Sequence, residues 1–188
     1  MGFFDRIRKT QDADPSATGS VFAEIVATYR LKKARPYEPS LMLDWFEGSY
    51  GAVRFAVQEA GAKIVAYLGD VVEVTEIYLV RVPPGGTLPR EGSPQRLDRI
   101  VGPEGAALAS QFVLAAHPTG DFDYPQLRLP EVLHGIPRLS PHVLEVAIYE
   151  NFRGLSFRTT RSITRPNFER DLEIASEIVA ALRVTREP

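Results

Sequence analysis

The feature that most constrains the fold is a series of strand-like segments whose connections leave no room for helices. Alternating apolar residues begin at Leu41, and similar runs rich in β-branched and aromatic residues follow at 53–57, 64–68 and 71–82. Parallel strands need crossover connections of a dozen or more residues, whereas short turns separate these runs. The sequence therefore predicts an antiparallel meander.

Helical patterns lie on both sides of this region. Ser20 suits an N-cap, apolar residues then recur at helical spacing as far as Tyr29, and Lys32 and Lys33 are expected at the helix C-terminus. Pro166 opens a second, longer helix. Its predicted apolar stripe is Phe168, Leu172, Ala175, Ile178, Val179 and Leu182.

The middle of the chain contains a long loop at 83–105 and an apolar stretch at 107–116, which we expect to form a central strand covered on both faces. A short helix at 130–136 and a hairpin that turns at 151–154 follow. These elements predict a single α+β domain over residues 20–188. Its mainly antiparallel sheet combines the meander with the C-terminal hairpin, and the N-terminal and long C-terminal helices pack on it.

Residues 1–19 are expected to form an amphipathic segment followed by a linker. Phe3, Phe4 and Ile7 can share one helical face that basic residues flank. Such a face can contact a membrane surface or a partner, and the alternative is a frayed terminus. The chain has no apolar run of the length that a bilayer or a signal peptide requires, which favours a cytoplasmic location.

In its order of elements the chain resembles the soluble domain of certain bacterial proteins of unknown function, many of which are membrane-tethered. The segments that carry the resemblance are the apolar run 109–116, the leucine-punctuated stretch 127–139, the hairpin turn and the closing helix, preceded by 46–51. It covers about two thirds of the chain. The resemblance implies an α+β fold and supplies no activity.

Composition excludes several chemistries. The chain has no cysteine, which removes disulfides, thiolate metal sites and cysteine nucleophiles. Its net charge of −2 gives no bulk attraction to nucleic acid. The glycine-rich segments match neither a phosphate-binding loop nor a dinucleotide fingerprint, so we expect no cofactor.

One polar loop is the default candidate for chemistry. It contains His117, Asp121 and Asp123, and the imidazole and carboxylates could bind a divalent cation if His134 or His142 completed the set. No spacing in the loop fixes three ligands, and its residues also suit a turn. We therefore predict neither a metal site nor a catalytic site here.

Four arginines form a candidate anion-binding patch: Arg153, Arg158, Arg161 and Arg165. By strand alternation Arg158 is expected to face solvent. The alternative is pairing with Glu145 or Glu150 across the hairpin.

Two classes of function remain open. The missing catalytic pattern, the long loop and three aromatic residues expected to be exposed (Tyr37, Phe122 and Tyr124) favour a non-catalytic protein-binding or scaffolding module whose partner is another protein. The alternative is a small-molecule or lipid-binding domain, with or without enzymatic activity, that encloses an apolar cavity between sheet and C-terminal helix. A solid core would favour the first hypothesis and a large apolar cavity the second. Oligomeric state stays open.

Overall fold

A computed structural model describes residues 18–34, 45–51, 53–60, 63–68, 77–90, 93–115, 124–149, 154–160 and 162–184. The described helices are α1 (Thr18–Thr28), α2 (Asp98–Val101), α3 (Ala106–Gln111), α4 (Pro130–Gly135) and α5 (Arg165–Val184). Short 3₁₀ segments at Pro103–Gly105, Pro125–Arg128 and Ile136–Arg138 adjoin them.

The described strands form one antiparallel sheet. They are β1 (Lys32–Ala34), β2 (Trp45–Tyr50), β3 (Val53–Ala60), β4 (Lys63–Leu68), β5 (Ile77–Arg81), β6 (Phe112–Leu114), β7 (Val143–Tyr149) and β8 (Gly154–Thr160). Their order across the sheet is β1-β2-β3-β4-β8-β7-β5-β6. The predicted α+β class is confirmed.

The position of β5 differs from a simple continuation of the meander. Strands β2, β3 and β4 pair in chain order, but β4 then pairs with β8, and β5 lies between β7 and β6. The C-terminal hairpin is therefore inserted between two strands that are consecutive in sequence. Alternation of residues predicts each strand but carries no information on this order, which depends on long-range pairing.

Both ends of α1 differ from the sequence prediction. Ser20 lies inside the helix, which begins at Thr18, so its predicted N-cap position is wrong. At the other end, Arg30 has φ 50°, and its N–H and that of Leu31 bond back to the carbonyls of Ala27 and Val26. This is the bonding pattern of a Schellman motif, which reverses the chain. Lys32 and Lys33 therefore belong to β1 instead of the end of a helix.

The apolar stretch at 107–116 was wrongly predicted as a central strand. Residues up to Gln111 form α3, and the short strand β6 lies at the edge of the sheet. Apolar residues on both parities also suit a buried helix, and alanine and leucine favour the helical state. The predicted helix at 130–136 and the last helix are confirmed.

One hydrophobic core fills the space between the helices and one face of the sheet, which we call the inner face. The predicted stripe of α5 is buried there, with each of its six side chains at most 4% exposed. Tyr29, the residue after α1, makes edge-to-face ring contacts with Phe55 and Phe168, at centroid distances of 5.6 and 6.2 Å, and so joins the end of α1 to β3 and α5.

Candidate functional site

A buried carboxylate on α5 holds the segment that precedes β7. Asp171 is 0% exposed, and Ser140 in that segment is 1% exposed. The Ser140 backbone N–H donates to Asp171 Oδ1 at 2.7 Å, and the Ser140 hydroxyl bonds to Oδ2 at 2.5 Å. In the sequence, Asp171 is one of three acidic residues near the start of this helix, where the helix dipole favours carboxylates. Its spacing of three residues from Phe168 already put it on the apolar stripe, which is the signal that could have found it.

Arg81, the last residue of β5, holds the same segment from the other side. Its guanidinium donates to four oxygens: the Val143 carbonyl (2.8 Å from Nε), Gln111 Oε1 (2.8 Å from Nη1), and the Leu139 and Ser140 carbonyls (3.0 and 3.3 Å from Nη2). The guanidinium carbon also lies 4.5 Å from the centre of the Phe112 ring. The backbone of Leu139 and Ser140 is thus held by a cation on its carbonyl side and by a carboxyl on its N–H side.

Burial governs the electrostatics of this cluster. Burial raises the pKa of Asp171, and the two bonds from Ser140 and the charges of Arg170 and Arg81 only partly oppose the rise. Burial lowers the pKa of Arg81 to about 10, so this guanidinium is still a cation at neutral pH. The buried Ser140 hydroxyl is inaccessible to a substrate. We therefore assign the cluster a structural role and not nucleophilic catalysis.

A second polar group lies on the opposite, outer face of the sheet. The Tyr78 hydroxyl on β5 bonds to Glu145 on β7, which forms an ion pair with Arg158 on β8. The Arg158 side chain is 25% exposed and that of Glu145 is 11% exposed. Arg158 does alternate with the core residues Leu155 and Phe157, as predicted, but it is not a solvent-facing cation. Glu145 is its directly paired neighbour and neutralises it, as in the alternative interpretation.

The predicted arginine patch is only partly described. Arg153 and Arg161 lie outside the described residues. Arg165 bonds to Glu24 of α1 at 3.1 Å and to Glu169 at 2.8 Å, so it joins two helices. The two described members are Arg158 and Arg165, and they pair with different acidic residues. None of these contacts joins both arginines to a common group.

The residues proposed for the polar loop, His117, Asp121 and Asp123, lie outside the described residues, as do Tyr37 and Phe122. Tyr124 was expected to be exposed, but its side chain is buried in the core at 6% exposure, and this burial raises its pKa. His134 is exposed on α4. Among the residues with described positions, no three histidine, aspartate or glutamate side chains cluster as a metal ion would require.

His142 takes part in a small surface cluster instead. Its Nδ1 lies 3.0 Å from Thr160 Oγ1 and 3.4 Å from Ser162 Oγ, and the two hydroxyls are 3.0 Å apart. These bonds join the turn before β7 to the connection between β8 and α5. A nucleophilic serine also needs a group that orients its histidine, and the bonds described for His142 include no carboxylate.

Membrane contact was predicted through Phe3, Phe4 and Ile7, which lie outside the described residues. In the part of the chain that is described, no helix combines the length and apolar character needed to cross a bilayer.

The comparisons with known proteins point to one solved structure. No family model matches the chain, and no curated protein matches it. The crystal structure of the mycobacterial trehalose monomycolate transport factor A, TtfA, is similar to this chain with a TM-score of 0.55 at 11% sequence identity. The similarity covers 90% of this chain and 96% of that protein. At this identity it shows a shared fold.

Proposed function

We propose that this chain is a non-catalytic binding domain that serves a lipid-transport system by docking on a protein of that system. The observation that carries the proposal is the likeness to a transport factor, which extends over nearly the whole of both chains. Since fold alone does not determine function, the properties of the described residues must also suit the role.

The packing of the inner face supports docking over enclosure of a ligand. Side chains of the apolar stripe of α5, such as Leu172 and Ile178, have no exposed surface. A Cβ added to Gly135 of α4 would come within 3.1 Å of Ile178, so the two helices are already in close contact. This close packing of α4 on α5 favours a partner that binds from outside.

The polar residues support a role without catalysis. The buried hydroxyl and carboxyl of Ser140 and Asp171 bond to each other, and Glu145 bonds to Tyr78 and Arg158. Groups that are engaged in this way stabilise the fold and are not poised to transfer protons to a substrate.

The second candidate function is direct binding of a lipid. The name of the transport factor, which specifies the glycolipid trehalose monomycolate, favours it. It requires an apolar cavity large enough for an acyl chain, or a surface that wraps one. Native mass spectrometry of the full chain, purified from the cells that produce it, separates the two candidates. A stoichiometric lipid adduct favours direct binding, and the bare mass favours docking.

Site-specific photo-crosslinking in those cells tests docking itself. A photoreactive residue would replace, in three separate variants, Thr87 in the loop after β5, Arg54 on the outer face and Glu177 on α5, all of which are exposed. We expect one of these surfaces to crosslink to a membrane-transport protein, while the other two serve as matched controls. Adducts with lipid alone, or no adduct with any transport component, would contradict the proposal.

A further inference from the structure

The contact between Ser140 and Asp171 can exist in two protonation forms. When the carboxylate is ionised, the Ser140 hydroxyl donates to Oδ2 and the backbone N–H donates to Oδ1, at the distances given above. When the carboxyl is protonated at Oδ2, its O–H can donate to the Ser140 oxygen, because a hydroxyl both donates and accepts. The backbone N–H still donates to Oδ1. The folded chain can therefore bind or release this proton without losing the contact.

The surroundings decide which form the fold favours. The carboxyl has no exposed surface, and burial without full compensation disfavours the charged form. Two cations act in the opposite sense: Arg81 from β5, which contacts the far side of the Ser140 backbone, and Arg170 on α5 itself. Arg170 also donates to the Arg138 carbonyl at 2.6 Å, so part of its hydrogen-bonding capacity is used elsewhere.

We propose that Asp171 is a proton-linked latch on α5. On acidification a proton enters the contact with Ser140, the contact persists in its neutral form, and the fold as a whole becomes more stable because the fully buried carboxyl no longer carries a charge. This device is independent of the proposed function, because it rests on the buried contact and not on any partner.

The direction of the effect follows from linkage. Burial makes the pKa of Asp171 higher in the folded chain than in the unfolded chain, where a carboxyl of this type has a pKa of about 3.9. The folded chain thus binds the proton more tightly. The contribution to stability is complete below the unfolded pKa and is lost as the pH rises through the folded pKa.

Equilibrium urea unfolding of the full chain, followed by circular dichroism from about pH 7.5 to about pH 4.5, measures the effect. The reference is Asp171→Asn, whose amide imitates the protonated carboxyl: its oxygen accepts from the backbone N–H and its NH₂ donates to the Ser140 oxygen. We expect the folding constant of the wild-type chain, divided by that of Asp171→Asn, to rise as the pH falls. For one proton the limiting slope is about tenfold per pH unit.

Glu173→Gln is the matched control, because it removes an exposed carboxylate from the same helix. Its curve should run parallel to that of the wild-type chain. A ratio between wild type and Asp171→Asn that does not change with pH would overturn the proposal.

A direct titration keeps the test decisive if Asp171→Asn fails to fold. Carboxyl-carbon NMR of the wild-type chain should show Asp171 titrating above about 3.9, and Ser140→Ala should move the midpoint further up, because it removes a donor to the ionised form. A midpoint at or below that value, or one that Ser140→Ala leaves unchanged, would refute the latch.

Discussion

At Arg30 a charged residue has a backbone conformation that glycine adopts more easily. Its φ of 50° lies in the left-handed region, where a Cβ crowds the backbone. The conformation is needed because α1 must reverse direction before β1 pairs with β2. The bonds from Arg30 and Leu31 to the last turn of the helix compensate part of this strain.

Replacing this residue with glycine tests that interpretation. We expect Arg30→Gly to raise the free energy of unfolding by about 0.5–1 kcal/mol, since relief of strain exceeds the extra entropy of glycine in the unfolded chain. Urea unfolding is the measurement. Arg30→Ala removes the same charge but retains the Cβ, so it should give no comparable gain; equal effects of the two variants would show that charge, not backbone strain, matters.

At the scale of elements, the segment between α4 and β7 is the point where helices and sheet are joined. Arg81 reaches it from β5 and Asp171 reaches it from α5. A buried polar network of this kind specifies one arrangement of its elements only while every member keeps its partners.

Loss of Arg81 should therefore weaken the fold strongly. Arg81→Ala leaves the carbonyls of Leu139 and Val143 without their donor, and we expect the free energy of unfolding to fall by about 3 kcal/mol or more. Arg99→Ala on α2 removes an exposed arginine and should change it by less than about 0.5 kcal/mol. If denaturant unfolding gave both variants the same small effect, Arg81 would not hold these elements together.

Helix α5 is the longest of the described helices, and its apolar stripe is buried in the core. Leu172→Ala should lower the free energy of unfolding by about 2–5 kcal/mol, because it removes a buried side chain and leaves a cavity. The comparison is Glu173→Ala, one position along and exposed. An unchanged urea midpoint for Leu172→Ala would mean that the helix is not part of the core.

At the scale of the whole molecule, the described core joins elements from α1 to α5 into one cluster. The sheet is continuous only when β8 lies between β4 and β7, so strands that are far apart in the sequence must pair. Folding therefore depends on pairing between distant parts of the sequence.

Residues 1–19 have the composition of a linker and are expected to contribute little to stability. A chain that lacks residues 1–17 should melt at the same temperature as the full chain, because a polar segment interrupted by proline and glycine is expected to make few contacts. Thermal unfolding followed by circular dichroism is the measurement. A large loss of stability would mean that Phe3, Phe4 and Ile7 contribute to the core or to an interface.

Local pattern alone was enough to predict strands β3, β4 and β5, the C-terminal hairpin and α5. Residue periodicity reports which side of an element is apolar, and short connections exclude parallel pairing. The same pattern misassigned residues 107–111, because a short run that is apolar on all sides suits a buried helix as well as a buried strand.

Tertiary structure decided which charged residues are buried and where the hairpin is inserted. Arg81 and Glu145 resemble surface residues when each is considered alone, and only its position on the apolar stripe of α5 distinguishes Asp171 from one. The burial of Asp171 and Glu145 and the partial burial of Arg81 depend on Ser140, on Arg158 and on backbone carbonyls, which other elements bring within bonding distance. Only the folded arrangement supplies these partners, and without them the desolvation of each charge would be too costly.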